Sequence, residues 1–341
     1  MAGTTAKREI FDPLLKELNL SSFDYANYSK RDTDLVTDAV KKTISVSLKQ
    51  VPFTTGDPQI GLNDGDIAVV QTGKLKGFDK FEVGFQQIQT EPTVIPKISQ
   101  EVAAIDVYAG TFNTHVQTLG NQYGNFVCKQ WTIKPFSPDS DIDTTAANFE
   151  TGKYKNHFLL TTGGTRKSAL HSTPTDVKKI SFDDLVRVQK SFSERNMTTK
   201  RKYALITPTM LADIQKLPEM AFNFSGMTYD PFGNQIVEYF GIIFIVRGGG
   251  DFSTNCIYQN LAGKYLPLPF GSMVTSISRD AALFWAENEV VSSGLNLDLF
   301  ESKNDPNFYG GSLDMQARFC AYKANELTQD GVVVLVEADP A

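Results

Sequence analysis

Residues 98–126 read ISQEVAAIDVYAGTFNTHVQTLGNQYGNF, and this stretch decides the fold. Ile98, Val102, Ile105, Ala109, Phe112, Val116, Leu119, Tyr123 and Phe126 recur in alternating steps of four and three. That period draws a single apolar stripe along one face of a long helix. Pro96 bars helix upstream, and Ser99 is the expected N-cap, although Val102 stands at N3 where an acid would serve better. Gly110 and Gly120 each cost about 1 kcal/mol relative to Ala. The stripe stops after about four heptads and carries no e/g charge pattern, so the helix is expected to pack on a sheet and not in a coiled coil.

Working back from the helix, two strand-like runs, Ile67 to Thr72 and Phe81 to Thr90, flank a polar tip of Gly73, Lys74, Lys76 and Gly77. They predict a long hairpin loop over residues 57–96, opened by Asn63-Asp64-Gly65. Residues 1–56 are polar and weakly periodic apart from Phe11, Leu14, Leu15 and Leu18, which have helical spacing. Such an arm cannot bury enough apolar surface alone, so it is disordered or lies against something else.

Beyond the helix, Pro135, Pro138, Pro174 and Gly163-Gly164 mark loop territory with one short strand at His157 to Thr162. Ser181 and Asp184 form a capping box, and Phe182, Leu185, Val186 and Phe192 are the expected buried face of the next helix. Tyr203 to Thr207 reads as a buried strand, followed after Pro208 by a helix capped by Thr209 and running through Leu217. Ile236 to Val246 is an apolar strand pair bending at Gly241. Leu295, Leu297 and Leu299, then Leu313, Met315, Ala317, Phe319 and Ala321, alternate with polar residues as half-buried strands. With Asp330-Gly331 as a turn and Val332 to Val336 as the closing strand, they predict an antiparallel meander.

Composition narrows function. Lys plus Arg is 33 against 39 for Asp plus Glu, a formal net charge of -6, which opposes tight general binding to nucleic acid. No run of about 18 apolar residues suggests a membrane span. The stretch MAGTTAKREIFDPLLKELNL lacks the apolar core and cleavage site of a signal peptide, so folding in a reducing cytosol is expected. Cys128, Cys256 and Cys320 are odd in number and widely spaced, unlike a disulfide framework or zinc site. His115, His157 and His171 have no paired-ligand spacing and read as structural. Cys128 with His157 has no supporting acyl-transfer signature, and Gly163 to Ser168 lacks phosphate-loop spacing and reads as a surface turn. Asp139, Asp141, Asp143 and Glu150 occupy positions 1, 3, 5 and 12 of a calcium loop. Thr144 stands where the sharp turn needs glycine, so a solvated acidic loop is expected, with no metal and no cofactor.

The order of pieces, an arm, a long hairpin, a striped helix, an inserted helix-strand-helix-strand unit and a return to strands, resembles the major capsid proteins of tailed double-stranded DNA bacteriophages, the Hong Kong ninety-seven fold. Glu91-Pro92-Thr93-Val94-Ile95 through Asp106, His115 and Leu119 is similar to the family's approach to its spine helix. Phe158 to Gly163 followed by Ile180 to Leu185 resembles the start of its axial domain, and Tyr203 to Pro208 that domain's first strand. Asp305 to Gly310 and Asp330 to Val333 resemble its closing strands. The resemblance implies an α+β chain divided into an arm (1–56), an extended hairpin loop (57–96), a peripheral domain with the spine helix (97–174), an axial domain (175–278) and peripheral return strands (279–341). It implies a non-enzymatic virion protein assembled in the host cytoplasm. Hexamers and pentamers of itself would form an icosahedral shell that encloses DNA without binding it tightly. Scaffold, portal or decoration proteins are the further partners such a shell can use. Phe11, Leu14, Lys74, Lys76, Lys80 and Phe85 are the candidate intersubunit contacts, and Val83 and Ile88 are expected to be exposed beside them. The rival class is a soluble α+β enzyme or ligand-binding protein with the hairpin as a lid, and a third is another virion component.

If the hairpin tip is an intersubunit clamp, replacing residues 73–78 by a short Gly-Ser turn leaves thermal unfolding of the subunit nearly unchanged and abolishes or misdirects assembly. Lys76→Glu does the same more weakly and in a salt-dependent way. Calorimetry and electron microscopy of the two variants check this; normal shells from the shortened chain refute the clamp.

Overall fold

A computed structural model of the chain describes residues 25–31, 43–47, 80–84, 86–133, 157–168, 170, 175–218, 228–229, 235–248, 257–261, 264–269, 272–305, 310–324 and 331–340. A 3-10 turn at Tyr25–Tyr28 leads into β1 (Lys30–Arg31), followed by β2 (Thr43–Ser47), β3 (Lys80–Gly84), β4 (Gln86–Gln89) and β5 (Thr93–Pro96). The long helix α1 is Lys97–Trp131. After it come β6 (Phe158–Leu160), β7 (Thr165–Lys167), β8 (Asp176–Lys178), α2 (Phe182–Glu194), β9 (Lys202–Ile206) and α3 (Pro208–Gln215). β10 (Thr228–Tyr229), β11 (Gln235–Tyr239), β12 (Ile242–Val246), β13 (Ile257–Leu261) and β14 (Lys264–Pro267) precede β15 (Ser278–Ala286), β16 (Val290–Asp305), β17 (Gly310–Lys323) and β18 (Val332–Val336).

The helix begins at Lys97, directly after Pro96, so Ser99 lies inside the first turn and is not the cap. Proline restricts the residue before it to extended backbone, which lets β5 run up to the helix without a loop. The predicted stripe is buried at Phe112, Val116, Leu119, Tyr123 and Phe126. It packs on the inner face of β17, where Leu313, Met315, Ala317 and Phe319 are buried at alternate positions. The Phe319 ring is met by Tyr123 at 5.3 Å and Phe126 at 5.1 Å. Five strands make this sheet, in the order β1-β16-β17-β4 with β5 also on β17. The helix continues past the stripe to Trp131, and its C-terminal carbonyls receive the buried Lys323 ammonium, which donates to Gln130 O at 3.3 Å and Thr132 O at 3.0 Å. A cation there also complements the helix dipole.

The second sheet has nine strands, β10-β11-β12-β9-β15-β13-β14, with β18 joining β15 to β6. Its central strand β15 is buried at every position. Leu283 and Trp285 face the core shared with α1, while Ala282 and Phe284 face α2 and α3. The predicted meander is corrected here. β16 and β17 form the expected antiparallel ribbon, but β18 leaves it to pair antiparallel with β15 and parallel with β6. Val332 to Val336 is apolar at every position, and such a run is stable only where both faces are covered.

The capping box of α2 is present, with Ser181 Oγ accepting from the Asp184 amide and Asp184 Oδ2 from the Ser181 amide at 2.9 Å. Its buried face differs from expectation: Val188 is buried and Val186 is exposed, because 185, 188 and 192 hold the stripe. Thr207, not Thr209, caps α3, with Pro208 at the first helical position, and α3 ends at Gln215. The turn between β11 and β12 places Phe240 (φ 54) and Gly241 (φ 67) both in the left-handed region, the conformation of a two-residue hairpin.

The hairpin loop is also revised. β3 pairs with β2, so its partner is residues 43–47 of the expected arm; Ile67 to Thr72 lies outside the described residues. β4 pairs instead with Gln316 to Phe319 in the five-stranded sheet. The apolar parity changes between Val83 and Ile88, so one straight strand could not bury both.

Both sheets meet at Tyr25, Trp131 and Trp285, all fully buried. Trp285→Ala is expected to destabilise the chain by about 3–5 kcal/mol, and Tyr25→Phe, which removes the hydroxyl bond to Gly124 O, by about 1 kcal/mol. Urea unfolding followed by far-ultraviolet circular dichroism measures both.

Candidate assembly surface

An assembly surface must present apolar side chains or open strand edges that the subunit leaves uncovered. Among the described residues the hairpin β13–β14 does both. In its register Leu261 opposes Lys264 and Gln259 opposes Leu266, so Leu261 and Leu266 share one face while Tyr258 and Tyr265 occupy the other. The tyrosines are buried against Phe158, at 5.3 and 5.8 Å between rings, whereas Leu261 is 45% exposed and Leu266 36%. The following connection adds Met273, 65% exposed, and Ile277, whose carbonyl accepts from the Asn260 amide at 2.9 Å. β14 ends the strand order on this side and β10, with exposed Tyr229, ends it on the other.

A smaller apolar surface lies on α2. Phe182 meets Phe240 edge-on at 5.6 Å, Val186 is exposed beside them on the helix, and Gln189 Nε2 donates to Phe240 O at 2.6 Å to hold the turn in place. On the five-stranded sheet, Phe300 and Val94 are exposed.

A cleft of about 510 Å³ runs between α1 and the β4–β5 connection, lined by Thr111, Thr114, His115 and Thr118 of the helix and by Gln89 and Thr90 opposite. His115 Nδ1 lies 2.7 Å from Thr90 Oγ1, which also accepts from the Met315 amide at 2.9 Å. Burial holds the His115 pKa below the usual imidazole value, against the opposing pull of Asp314. The ring thus fastens the strand connection to the helix, the structural role expected of it. His157 accepts at Nδ1 from Arg195, and His171 lies outside the described residues. Cys128 and Cys320 are buried.

Of the candidate contacts, Phe11, Leu14, Lys74, Lys76 and Phe85 lie outside the described residues, as do Asp139, Asp141, Asp143 and Glu150. Lys80 opens β3, opposite Ser47 of β2. Ile88 is half-buried and packs on the subunit's own core, correcting the expectation that it needs a partner. Among the described residues no group of three or more His, Cys, Asp and Glu is placed to hold a metal ion, and no helix is long and apolar enough to cross a membrane. Sequence reasoning missed the Leu261, Leu266 and Met273 surface. Its only local signal is Gly263 between two short apolar runs, a hairpin cue.

No family model and no curated protein matches the chain. Solved structures do. The capsid structure of the cyanophage P-SCSP1u matches over 92% of this chain and 87% of the other, with a TM-score of 0.51 at 11% identity. The capsid of Ralstonia phage GP4 matches over 92% and 88% (TM-score 0.47, 16% identity), and the cyanophage Pam1 capsid over 90% and 87% (TM-score 0.48, 13% identity). At these identities likeness speaks to fold alone, and the first match carries it. The chain has an α+β phage major capsid protein fold, of the Hong Kong ninety-seven type.

Exposed apolar residues contribute little to the isolated subunit, so the double variant Leu261→Ser, Met273→Ser should unfold within about 0.5 kcal/mol of the parent. Its self-association, followed by sedimentation velocity, should fall; unchanged association would remove this hairpin from the assembly surface.

Proposed function

We propose that this chain is the structural subunit of a phage head, which assembles as hexamers and pentamers into an icosahedral shell around double-stranded DNA. The observation that carries this reading is the fold shared with the cyanophage capsid chain over nearly the whole length. The surface supports it on separate grounds. A subunit that lives alone blunts its strand edges and keeps large apolar side chains off them. Here β14 ends the strand order of the nine-stranded sheet among the described residues, its hairpin exposes Leu261 and Leu266, and the connection after it exposes Met273.

The charge balance fits the same role. A net charge of -6 disfavours adhesion to a packaged polyanion, so the shell can enclose DNA without binding its phosphates tightly. On this reading the protein performs no catalysis and takes no cofactor. Its first partner is itself, its place is the virion capsid after assembly in the host cytoplasm, and scaffold, portal or decoration proteins are its further partners.

Size-exclusion chromatography of the purified chain followed by negative-stain electron microscopy tests the proposal. Sixfold rings, tubes or curved shells are the expected products, alone or with a co-expressed scaffold. A compact monomer at high concentration under both conditions overturns it.

A further inference from the structure

The exposed leucines sit on a hairpin whose tip the neighbouring strand does not reach. β13 pairs with β15 at Ile257, Tyr258 and Gln259, opposite Asp280, Arg279 and Ser278, where β15 begins. Leu261 and its partner Lys264 lie past that end, and a two-stranded ribbon without a third strand is marginal in water. The register brings Asn260 and Tyr265 opposite each other at this point, on the inward face that Tyr258 also occupies. Arg279, across from Tyr258, carries its side chain on the same face.

One carboxylate gathers these pieces. Asp339 follows β18 on a stretch held between β15 and β8: the Glu337 amide donates to Asp280 O at 2.9 Å, the Ala338 amide to Thr161 Oγ1 at 3.0 Å and the Lys178 amide to Ala338 O at 2.8 Å. Its Oδ2 accepts from Asn260 Nδ2, and its Oδ1 accepts from Arg279 Nε at 2.7 Å. Asn260 Nδ2 also lies 3.4 Å from the Tyr265 hydroxyl. Arg279 donates from Nη1 to Ser276 O at 2.9 Å and Ser278 O at 2.8 Å, in the turn that ends the connection carrying Met273 and Ile277. Hydrogen bonds with an ionised partner are the stronger kind. The hairpin with Leu261 and Leu266 and the connection with Met273 and Ile277 are thus tied to the same side chain.

We propose that Asp339 is the positioning residue of the assembly surface: it fixes the β13–β14 hairpin and the 272–278 connection in the arrangement that a second copy of the chain binds. The proposal rests on the capsid reading. Exposed apolar side chains on two separate segments form one surface only while those segments keep their mutual position. If that order had to be made at the moment of contact, association would carry the entropy of freezing the hairpin and the connection. Asp339 makes it within the subunit, so its loss should weaken association without touching any of the exposed apolar residues. A carboxylate is needed because each oxygen meets a donor; an amide would set its NH2 group against either Arg279 or Asn260.

Hydrogen exchange of the full chain reads the positioning at the Asn260 amide, which donates to Ile277 O at 2.9 Å and so joins hairpin to connection, with amides of the β16–β17 ribbon as internal control. Asp339→Ala and Asp339→Asn should each speed exchange at residue 260 about tenfold while the ribbon stays level. Asn260→Ala, which leaves the Arg279 pair intact, should do the same and decides the matter if the Asp339 variants fold poorly. Sedimentation velocity reads the consequence. Self-association should weaken about tenfold in the Asp339 variants, and Asp339→Ala should add nothing in the Leu261→Ser, Met273→Ser background, where there is no surface left to position. Unchanged protection at residue 260 overturns the positioning. Lost protection with unchanged association, or an Asp339→Ala effect of full size in the Leu261→Ser, Met273→Ser background, overturns the role in assembly. A parent chain that stays monomeric with and without scaffold overturns the capsid reading and the assembly role with it, while exchange at residue 260 still decides whether Asp339 positions the hairpin.

Discussion

Three aromatic rings hold the chain's two sheets together. Trp285 comes from the central strand of the nine-stranded sheet, Trp131 from the last turn of the helix on the five-stranded sheet, and Tyr25 from a 3-10 turn more than a hundred residues upstream of either. Their centroids lie 5.4 to 6.0 Å apart, and Tyr203 stacks on Trp285 from the far side at 5.9 Å. Such pairs contribute about 0.5–1.5 kcal/mol each beyond their buried area, so the cluster weighs heavily in a fold of ordinary marginal stability. Each ring also places a polar group. Trp131 Nε1 donates to Val291 O, Trp285 Nε1 to Tyr28 O and the Tyr25 hydroxyl to Gly124 O. No donor is left stranded in the seam, and each bond ties one element to another that the sequence keeps far away.

That constraint explains what could be read from the sequence. The long helix and the β16–β17 ribbon are half-buried elements, so burial writes a period of 3.6 or 2 into their residues. β15 and β18 sit where both faces are covered. Their alternate residues serve two different cores, Leu283 and Trp285 one and Ala282 and Phe284 the other, so no alternation survives. The assignment of Val332 to Val336 to the ribbon failed for this reason: an apolar run specifies burial without naming the sheet. Residues 43–47 posed a different problem: Ile44 and Val46 do alternate with Thr43, Ser45 and Ser47, but a run of five names no partner, and the pairing with β3 spans more than thirty residues of sequence.

The surface and the core of the β13–β14 hairpin come from one alternation. Tyr258 and Tyr265 fill the space against Phe158, and the same register forces residues 261 and 266 outward. Polar residues there would satisfy a solitary subunit; leucines instead leave uncovered apolar area on the strand that ends the sheet's order among the described residues. An assembling subunit has a use for that area, since what destabilises the monomer's surface in water favours contact with a neighbour.

Rings and charges converge on one turn of helix. Trp131 enters the aromatic seam, Lys129 two residues earlier is buried, and Lys323 closes the carbonyls that follow. The seam is apolar, whereas the buried cluster of Arg166, Asp213 and Glu337 carries charges whose burial is costly unless they are paired. Replacing such a cluster with apolar residues is often neutral or stabilising in proteins, so its presence is poorly explained by stability alone. The aromatic seam, which has no charge to balance, is therefore the contact that can hold the two sheets together.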